Sequence, residues 1–161
     1  MRRRRLFLVG IGLLGLVCVA TGCAKEKRVD EHAQRLAKLQ AAYDAVAAVQ
    51  SAADAGVSYE DYSKQLPTAS AALLAYQAED AEARDIAAHL SAAVYAYQNA
   101  LRAWAVKYDE CPDCAWRKFV SAHPQFAAED PNPEYAVSVY WNTAKTEMTA
   151  ARDALDAYKA K

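Results

Sequence analysis

Glycine is nearly absent from most of this sequence. Of the five glycines in 161 residues, four lie within the first 22 residues and only Gly56 lies beyond them. Folds that contain many β-strands use glycine in their tight turns, so a single glycine over residues 23–161 argues against all-β and α/β folds. Alanine, which has the highest intrinsic helix propensity, is abundant instead. The composition therefore predicts an all-α protein.

An excess of charge of either sign is also missing. The chain carries 19 basic and 20 acidic side chains, a formal net charge of -1. Four of the basic residues and none of the acidic ones lie in residues 1–22, so residues 23–161 carry 15 basic and 20 acidic side chains, a net charge of -5. Because binding to a phosphate backbone depends on clustered cations, this balance argues against nucleic acid as a partner.

Familiar catalytic motifs are missing as well. The sequence has no Walker loop, no H-E-x-x-H zinc motif and no G-x-S-x-G nucleophile elbow. Residues 10–15 match G-x-G-x-x-G, but they follow four arginines rather than a strand and do not predict a dinucleotide site. The sequence therefore predicts no catalytic residue, no metal and no cofactor, and we expect a protein that is not an enzyme.

The first 22 residues have the organisation of an export signal. Residues 2–5 are four arginines, residues 6–20 form an uncharged apolar run, and small residues follow. At about 1.5 Å per helical residue this run falls short of a bilayer core of about 30 Å, which favours a secretory signal peptide over a transmembrane helix. Residues 4–8 also fit the twin-arginine core R-R-x-F-L, so both export routes stay open, with the general secretory route favoured.

Residues 20–23, which read Ala-Thr-Gly-Cys, resemble the lipobox of bacterial lipoproteins. In that family the signal is cleaved just before an invariant cysteine, whose thiol carries a diacylglycerol. The resemblance implies cleavage after Gly22 and lipidation of Cys23, although the first lipobox position holds alanine where leucine is commonest. Ala24 stands where an aspartate often retains lipoproteins in the inner membrane, so the implied location is the outer membrane, facing the periplasm.

Three segments follow from this assignment: a cleaved signal peptide (residues 1–22), a lipidated tether (residues 23–28) and a helical bundle domain (residues 29–161). Four stretches of the last segment repeat apolar residues in steps of three and four, which is the spacing of one helix face. The four stripes are Val29, Leu36, Leu39, Tyr43, Val46, Gln50 and Ala53; Tyr59, Tyr62, Leu66, Ala69, Leu73 and Tyr76; Ile86, Leu90, Val94, Tyr97, Leu101, Trp104 and Tyr108; and Val137, Trp141, Ala144, Met148, Ala151, Leu155 and Tyr158. Short connections between four such helices predict an antiparallel four-helix bundle.

Turn and capping residues set the predicted boundaries. Gly56 predicts the end of the first helix, Ser58 an N-cap for the second, and Asn132 an N-cap for the last. Pro67 predicts either a kink or a break in the second helix. Residues 56–62 weakly resemble a turn-and-helix segment of uncharacterised bacterial helical proteins, and this resemblance implies no activity.

Residues 111–131 depart from the pattern and are predicted to form an extra short helix, about residues 112–122, followed by a loop. They open with the chemically reactive motif Cys111-Pro112-Asp113-Cys114. Cys18 would leave with the signal peptide and Cys23 would be lipidated, which leaves Cys111 and Cys114 as an even pair in an oxidising compartment and favours a structural disulfide. Two alternatives stay open: a redox dithiol, and half of a metal site extended by His123.

All ten tyrosines follow residue 22, and most fall on the stripes as predicted core residues. Tyr95, Tyr135 and Tyr140 fall off the stripes and are predicted surface contacts. We expect a lipid-anchored, non-enzymatic structural or interaction module of the bacterial cell envelope. Its expected partners are the membrane, through the anchor, and an envelope protein or peptidoglycan-associated component. The alternative is a redox-active or metal-handling accessory protein that uses the cysteine pair.

Overall fold

A computed structural model describes the backbone of residues 20–76, 81–127 and 132–160, and the side chains from residue 31 onward within these ranges. Every regular element in these ranges is helical, which confirms the all-α prediction. The elements are α1 (Ala20–Asp54), α2 (Tyr59–Ala75), α3 (Ala81–Ala105), a 3-10 turn (Val106–Tyr108), α4 (Pro112–Ala122), a second 3-10 turn (Pro124–Phe126) and α5 (Pro133–Lys159).

The chain divides into two compact units, residues 1–35 and residues 36–161. In the first unit, residues 20–35 are helical and belong to α1. The second unit contains the remainder of α1, all of α2 to α5, and one continuous apolar core. None of the helices within the described ranges is both long enough and apolar enough to cross a bilayer. The arginine-rich segment and the apolar run up to residue 19 lie outside the described residues.

Helices α3 and α5 run antiparallel in the second unit. His89 Nδ1 lies 2.8 Å from the Glu147 carboxylate, and Lys107 Nζ lies 2.5 Å from the Glu134 carboxylate. Residue numbers therefore rise along one helix as they fall along the other. The short 3-10 turn and α4 follow α3 in the sequence and form part of the connection in which the chain reverses direction before α5.

Helix α1 also runs antiparallel to α5 within this unit. Arg152 Nε donates to the Tyr43 hydroxyl at 3.0 Å, and Lys145 lies 3.9 Å from the Asp54 carboxylate. Together with the turn of residues 55–58 that connects α1 to α2, these pairings give the up-and-down four-helix bundle that the sequence predicts, formed by α1, α2, α3 and α5.

The predicted stripes supply most of the core. Two expectations were wrong. Tyr108, placed on the third stripe, is 64% exposed because α3 ends at Ala105 and the 3-10 turn that follows changes the angular step per residue. Tyr140, expected on the surface, is buried because Phe126 and His123 pack against its ring at centroid distances of 5.6 and 5.7 Å.

The capping predictions are confirmed. The Ser58 hydroxyl accepts from the Asp61 amide at 3.2 Å, and the Asn132 side chain accepts from the Tyr135 amide at 2.9 Å. Gly56 has a φ of 77°, a left-handed conformation that costs glycine little. At Pro67 a break is ruled out, because α2 continues through it to Ala75.

Candidate functional site

The predicted cleavage residue Gly22 and the predicted lipidation residue Cys23 lie in the first turn of α1. The structure describes the backbone of Gly22 and Cys23 as helical and does not describe their side chains. Cleavage after Gly22 and lipidation of Cys23 therefore stay predictions.

The cysteine pair lies at the start of α4. Cys111 and Cys114 form a disulfide with their Cα atoms 5.3 Å apart, and both residues are exposed. Cys111 occupies the N-cap position, and Pro112 is the first helical residue, where its missing N–H costs no hydrogen bond. The Asp109 carboxylate accepts from the Cys111 amide at 3.0 Å and so fixes the entry into the helix.

Opposing charges surround this disulfide. The Arg117 guanidinium lies 4.0 Å from the Cys114 sulfur, and its Nε donates to the Asp113 carbonyl. A nearby cation and a helix N-terminus favour a thiolate, whereas the neighbouring Asp109, Glu110 and Asp113 carboxylates oppose it. Both cysteines are exposed residues at the surface, and access by an external thiol is the first requirement for thiol–disulfide exchange.

His123 lies at the opposite end of α4, and its ring is held by α5. Its Nδ1 lies 2.8 Å from the Tyr140 hydroxyl oxygen, which also accepts from Gln125 Nε2 at 3.1 Å. In its neutral form with Nδ1 unprotonated, the His123 ring accepts a hydrogen bond from the Tyr140 hydroxyl, and protonation of Nδ1 removes that acceptor. Burial and the Arg102 guanidinium lower the pKa of His123. Within the described ranges, no three His, Cys, Asp or Glu side chains are grouped to hold a metal ion.

The neutral ring of His123 predicts an acid-sensitive contact. Because the pKa is below its ordinary value in the folded chain, protonation favours unfolding. The stabilisation is complete above about pH 6.5 and is lost as the pH falls towards the lowered pKa. We expect wild type to lose more stability between about pH 7.5 and about pH 5.5 than His123→Asn, which keeps an acceptor but does not titrate. Urea unfolding at both pH values measures this, and equal losses would contradict it.

A groove lies between α4 and the end of α3. Its volume is about 420 Å³. Small or apolar side chains form its floor, and charged or polar groups stand at its edges. The lining residues are Arg102, Ala105, Val106, Asp109, Ala115, Lys118, Phe119, Ala122 and His123.

A buried amide positions one of the cations at this groove. Asn99 is 1% exposed, and its Oδ1 accepts from Arg102 Nη1 at 2.9 Å. Among the ion pairs of the described residues, none joins Arg102 or Lys118 to a carboxylate within 4.0 Å. The groove thus presents two cationic side chains above an apolar floor.

Sequence reasoning placed the cysteine pair correctly at the start of a short helix but did not predict this groove. Asn99 carried a usable signal, because it stands among alanines that share the buried face of α3, at Ala96 and Ala103. A polar side chain on such a face needs a partner. Lys118 carried no such signal, since an exposed lysine on a helix is ordinary. Tyr95 and Tyr135 are exposed as predicted.

No protein-family model, no curated protein and no solved structure matches this chain.

Proposed function

We propose that this protein is exported and lipid-anchored in the bacterial cell envelope, where its helical bundle serves as a non-enzymatic structural or interaction module. The observation that carries the proposal is the order of arginines, apolar run and Ala-Thr-Gly-Cys at residues 20–23. The apolar stripes of the bundle pack against one another in a closed core. Because the apolar stripes are buried against one another, the domain is stable by itself and its outer surface can contact a partner.

The proposed location is the outer membrane, with the bundle facing the periplasm. Each buried CH₂ of an acyl chain contributes about 0.8 kcal/mol, so two or more chains on Cys23 would hold the protein stably. The proposed partner is an envelope protein or a peptidoglycan-associated component. The large apolar side chains that the described part of the bundle leaves exposed are available for this contact; they are Leu74, Tyr95, Tyr108 and Tyr135.

Replacing Cys23 with serine tests the anchor. The hydroxyl cannot form the thioether, so we expect Cys23→Ser to lose incorporation of labelled palmitate and to keep its signal peptide. Cys18→Ser is the matched control, because it removes the cysteine that lies within the apolar run. We expect this control to be labelled and processed as wild type is.

Two results would contradict the proposal. One is palmitate incorporation that persists in Cys23→Ser. The other is a wild-type chain that carries no palmitate although it is fully exported. Separation of inner and outer membranes on a density gradient then tests the proposed location, which predicts that the wild-type chain sediments with the outer membrane.

A second candidate function is a redox accessory that uses Cys111 and Cys114. The observation that favours it is that both cysteines are exposed residues at the start of α4, with the Arg117 guanidinium close to Cys114. In the exchange, a substrate dithiol would give up two electrons and two protons to become a disulfide, and the Cys111–Cys114 disulfide would become two thiols. The metal-handling version has less support, because the two sulfurs are bonded to each other and the His123 ring is engaged by Tyr140.

Thiol counting separates the two functions. A redox accessory should oxidise a reduced dithiol peptide and gain two free thiols per chain, and Cys111→Ser/Cys114→Ser should abolish this exchange. A structural disulfide should give no exchange on the same time scale. Because the ring that it closes is short, the double variant should then lose stability only towards the low end of about 0–5 kcal/mol.

A further inference from the structure

The groove between α4 and the end of α3 has the size and chemistry of a small-molecule site. We propose that it binds a small amphiphilic carboxylate, of which a medium-chain fatty acid is the simplest form. The carboxylate contacts Arg102 and Lys118, and the hydrocarbon lies on the floor formed by Val106 and Phe119. This proposal goes beyond the anchor and does not depend on it.

The charge of the groove selects an anion. Arg102 and Lys118 come from different helices and line the same groove, and neither is paired with a carboxylate within 4.0 Å among the described residues. The acidic side chain at the groove, Asp109, uses its Oδ1 to accept from the Cys111 amide. An anion therefore has two cationic donors available, and charge-assisted hydrogen bonds are the stronger class.

The cation on α3 is held in place before any ligand arrives. The Asn99 side chain is fixed by burial, and it accepts a hydrogen bond from one guanidinium nitrogen of Arg102. A guanidinium that is already oriented loses less conformational entropy on binding a carboxylate than a free side chain would. Asn99 is thus a positioning residue for this site, and Arg102 is the contact residue.

The floor selects an apolar body. Val106 and Phe119 are 6% and 7% exposed, and alanines at positions 105, 115 and 122 separate the larger side chains. The volume of about 420 Å³ falls within the range of small-ligand pockets, roughly 300–1,000 Å³. Small alanine side chains leave space for a hydrocarbon chain that a leucine at the same position would fill.

Equilibrium dialysis of labelled octanoate against the full chain as isolated from cells, in the presence of lipid nanodiscs, tests the proposal, with empty nanodiscs as the background. We expect saturable binding of one octanoate per chain above this background. Octanamide, which has the same hydrocarbon but no charge, should bind at least about ten-fold more weakly, because it cannot form the charge-assisted hydrogen bonds that a carboxylate forms.

Three variants define the site. Arg102→Gln/Lys118→Gln should weaken octanoate binding at least about ten-fold, since both charged contacts are removed. The matched control, Arg117→Gln/Lys64→Gln, removes two cations outside the groove and should leave binding unchanged. Because removing Arg102 also takes a partner from buried Asn99, the exposed Lys118→Glu serves as an independent variant and should weaken binding without altering the circular dichroism spectrum.

Several outcomes would overturn the proposal. They are the absence of saturable binding above empty nanodiscs, equal binding of octanamide, and equal binding by the Lys118→Glu variant. Self-association of the chain that Lys118→Glu abolishes, without octanoate binding, would identify a second copy as the occupant instead. None of these results depends on the location of the protein, so the test is independent of the palmitate experiment on Cys23.

Discussion

Tyr62→Ala is expected to destabilise the bundle by about 3–5 kcal/mol, the usual cost of truncating a buried aromatic side chain to alanine. Tyr62 is 0% exposed and lies at the centre of an aromatic cluster. Its ring centroid lies 6.0 Å from that of Trp104 and 5.9 Å from that of Trp141. Removing the ring leaves a cavity that these large neighbours cannot close without moving their helices. Equilibrium urea unfolding measures the loss.

The hydroxyl of Tyr62 contributes separately from its ring. It donates to the Tyr97 backbone carbonyl at 3.0 Å and accepts from Trp141 Nε1 at 3.2 Å, which links α2 to both α3 and α5. Burial raises the pKa of this hydroxyl, so it stays protonated and able to donate. Tyr62→Phe should therefore cost about 1–3 kcal/mol, because the partly buried Trp141 N–H loses its acceptor and the Tyr97 carbonyl loses this donor.

Tyr97→Phe is the matched control for the hydroxyl. The Tyr97 hydroxyl is also buried, but it has no hydrogen-bond partner within the described ranges. Removing it should be neutral or stabilising, since an unpaired buried hydroxyl costs free energy. The exposed Tyr95→Ala should change the stability by less than about 0.5 kcal/mol. Equal effects of Tyr62→Phe and Tyr97→Phe would contradict the role given to the Tyr62 hydroxyl.

Ala100→Leu is expected to destabilise the bundle by about 1–3 kcal/mol or more through overpacking. Ala100 is 0% exposed on the face of α3 that packs in the core, and α5 contributes alanines of its own to that core. These buried α5 alanines are Ala136, Ala144 and Ala151. Because small side chains let helices approach closely, three added carbon atoms have no space unless the helices separate.

Ala88→Leu provides the control in the same helix. Ala88 is exposed, so the same enlargement meets solvent and should change the stability by less than about 0.5 kcal/mol. Thermal unfolding followed by circular dichroism compares the two variants. A loss of stability in Ala88→Leu as large as that in Ala100→Leu would show that helix propensity, rather than packing, sets the effect.

Much of the fold could be predicted from the sequence, because the helical spacing of apolar residues and the capping residues indicate the same helices that pack in the core. The 4-3-4 spacing from Val137 to Tyr158 predicted the buried face of α5, apart from Trp141, which is only partly buried. Asn132 and Ser58 marked helix starts because their side chains satisfy free amide groups at those positions. The short helix at about residues 112–122 agrees with the observed Pro112–Ala122.

The wrong or missing predictions share one physical cause. Helical periodicity describes the faces of a single helix and carries no information on how other segments pack against it. Tyr140 fell off its stripe, yet residues 123–126 fold back over that side of α5 and bury it. Tyr108 continued a stripe whose helix had already ended. The sequence could not predict the groove for the same reason. Arg102 and Lys118 line one cavity only because α4 packs beside α3 in the folded chain.

The disulfide has a consequence for the motion of α4. Because Cys111 and Cys114 are only three positions apart, the bond closes a ring within the start of that helix and fastens it to no other element. Phe119, whose ring centroid lies 5.9 Å from that of Phe126, and His123, whose ring contacts Tyr140 of α5, hold α4 in place. Helix α4 is therefore the element expected to open first in native-state hydrogen exchange, at a free energy below that of global unfolding, with its disulfide intact throughout.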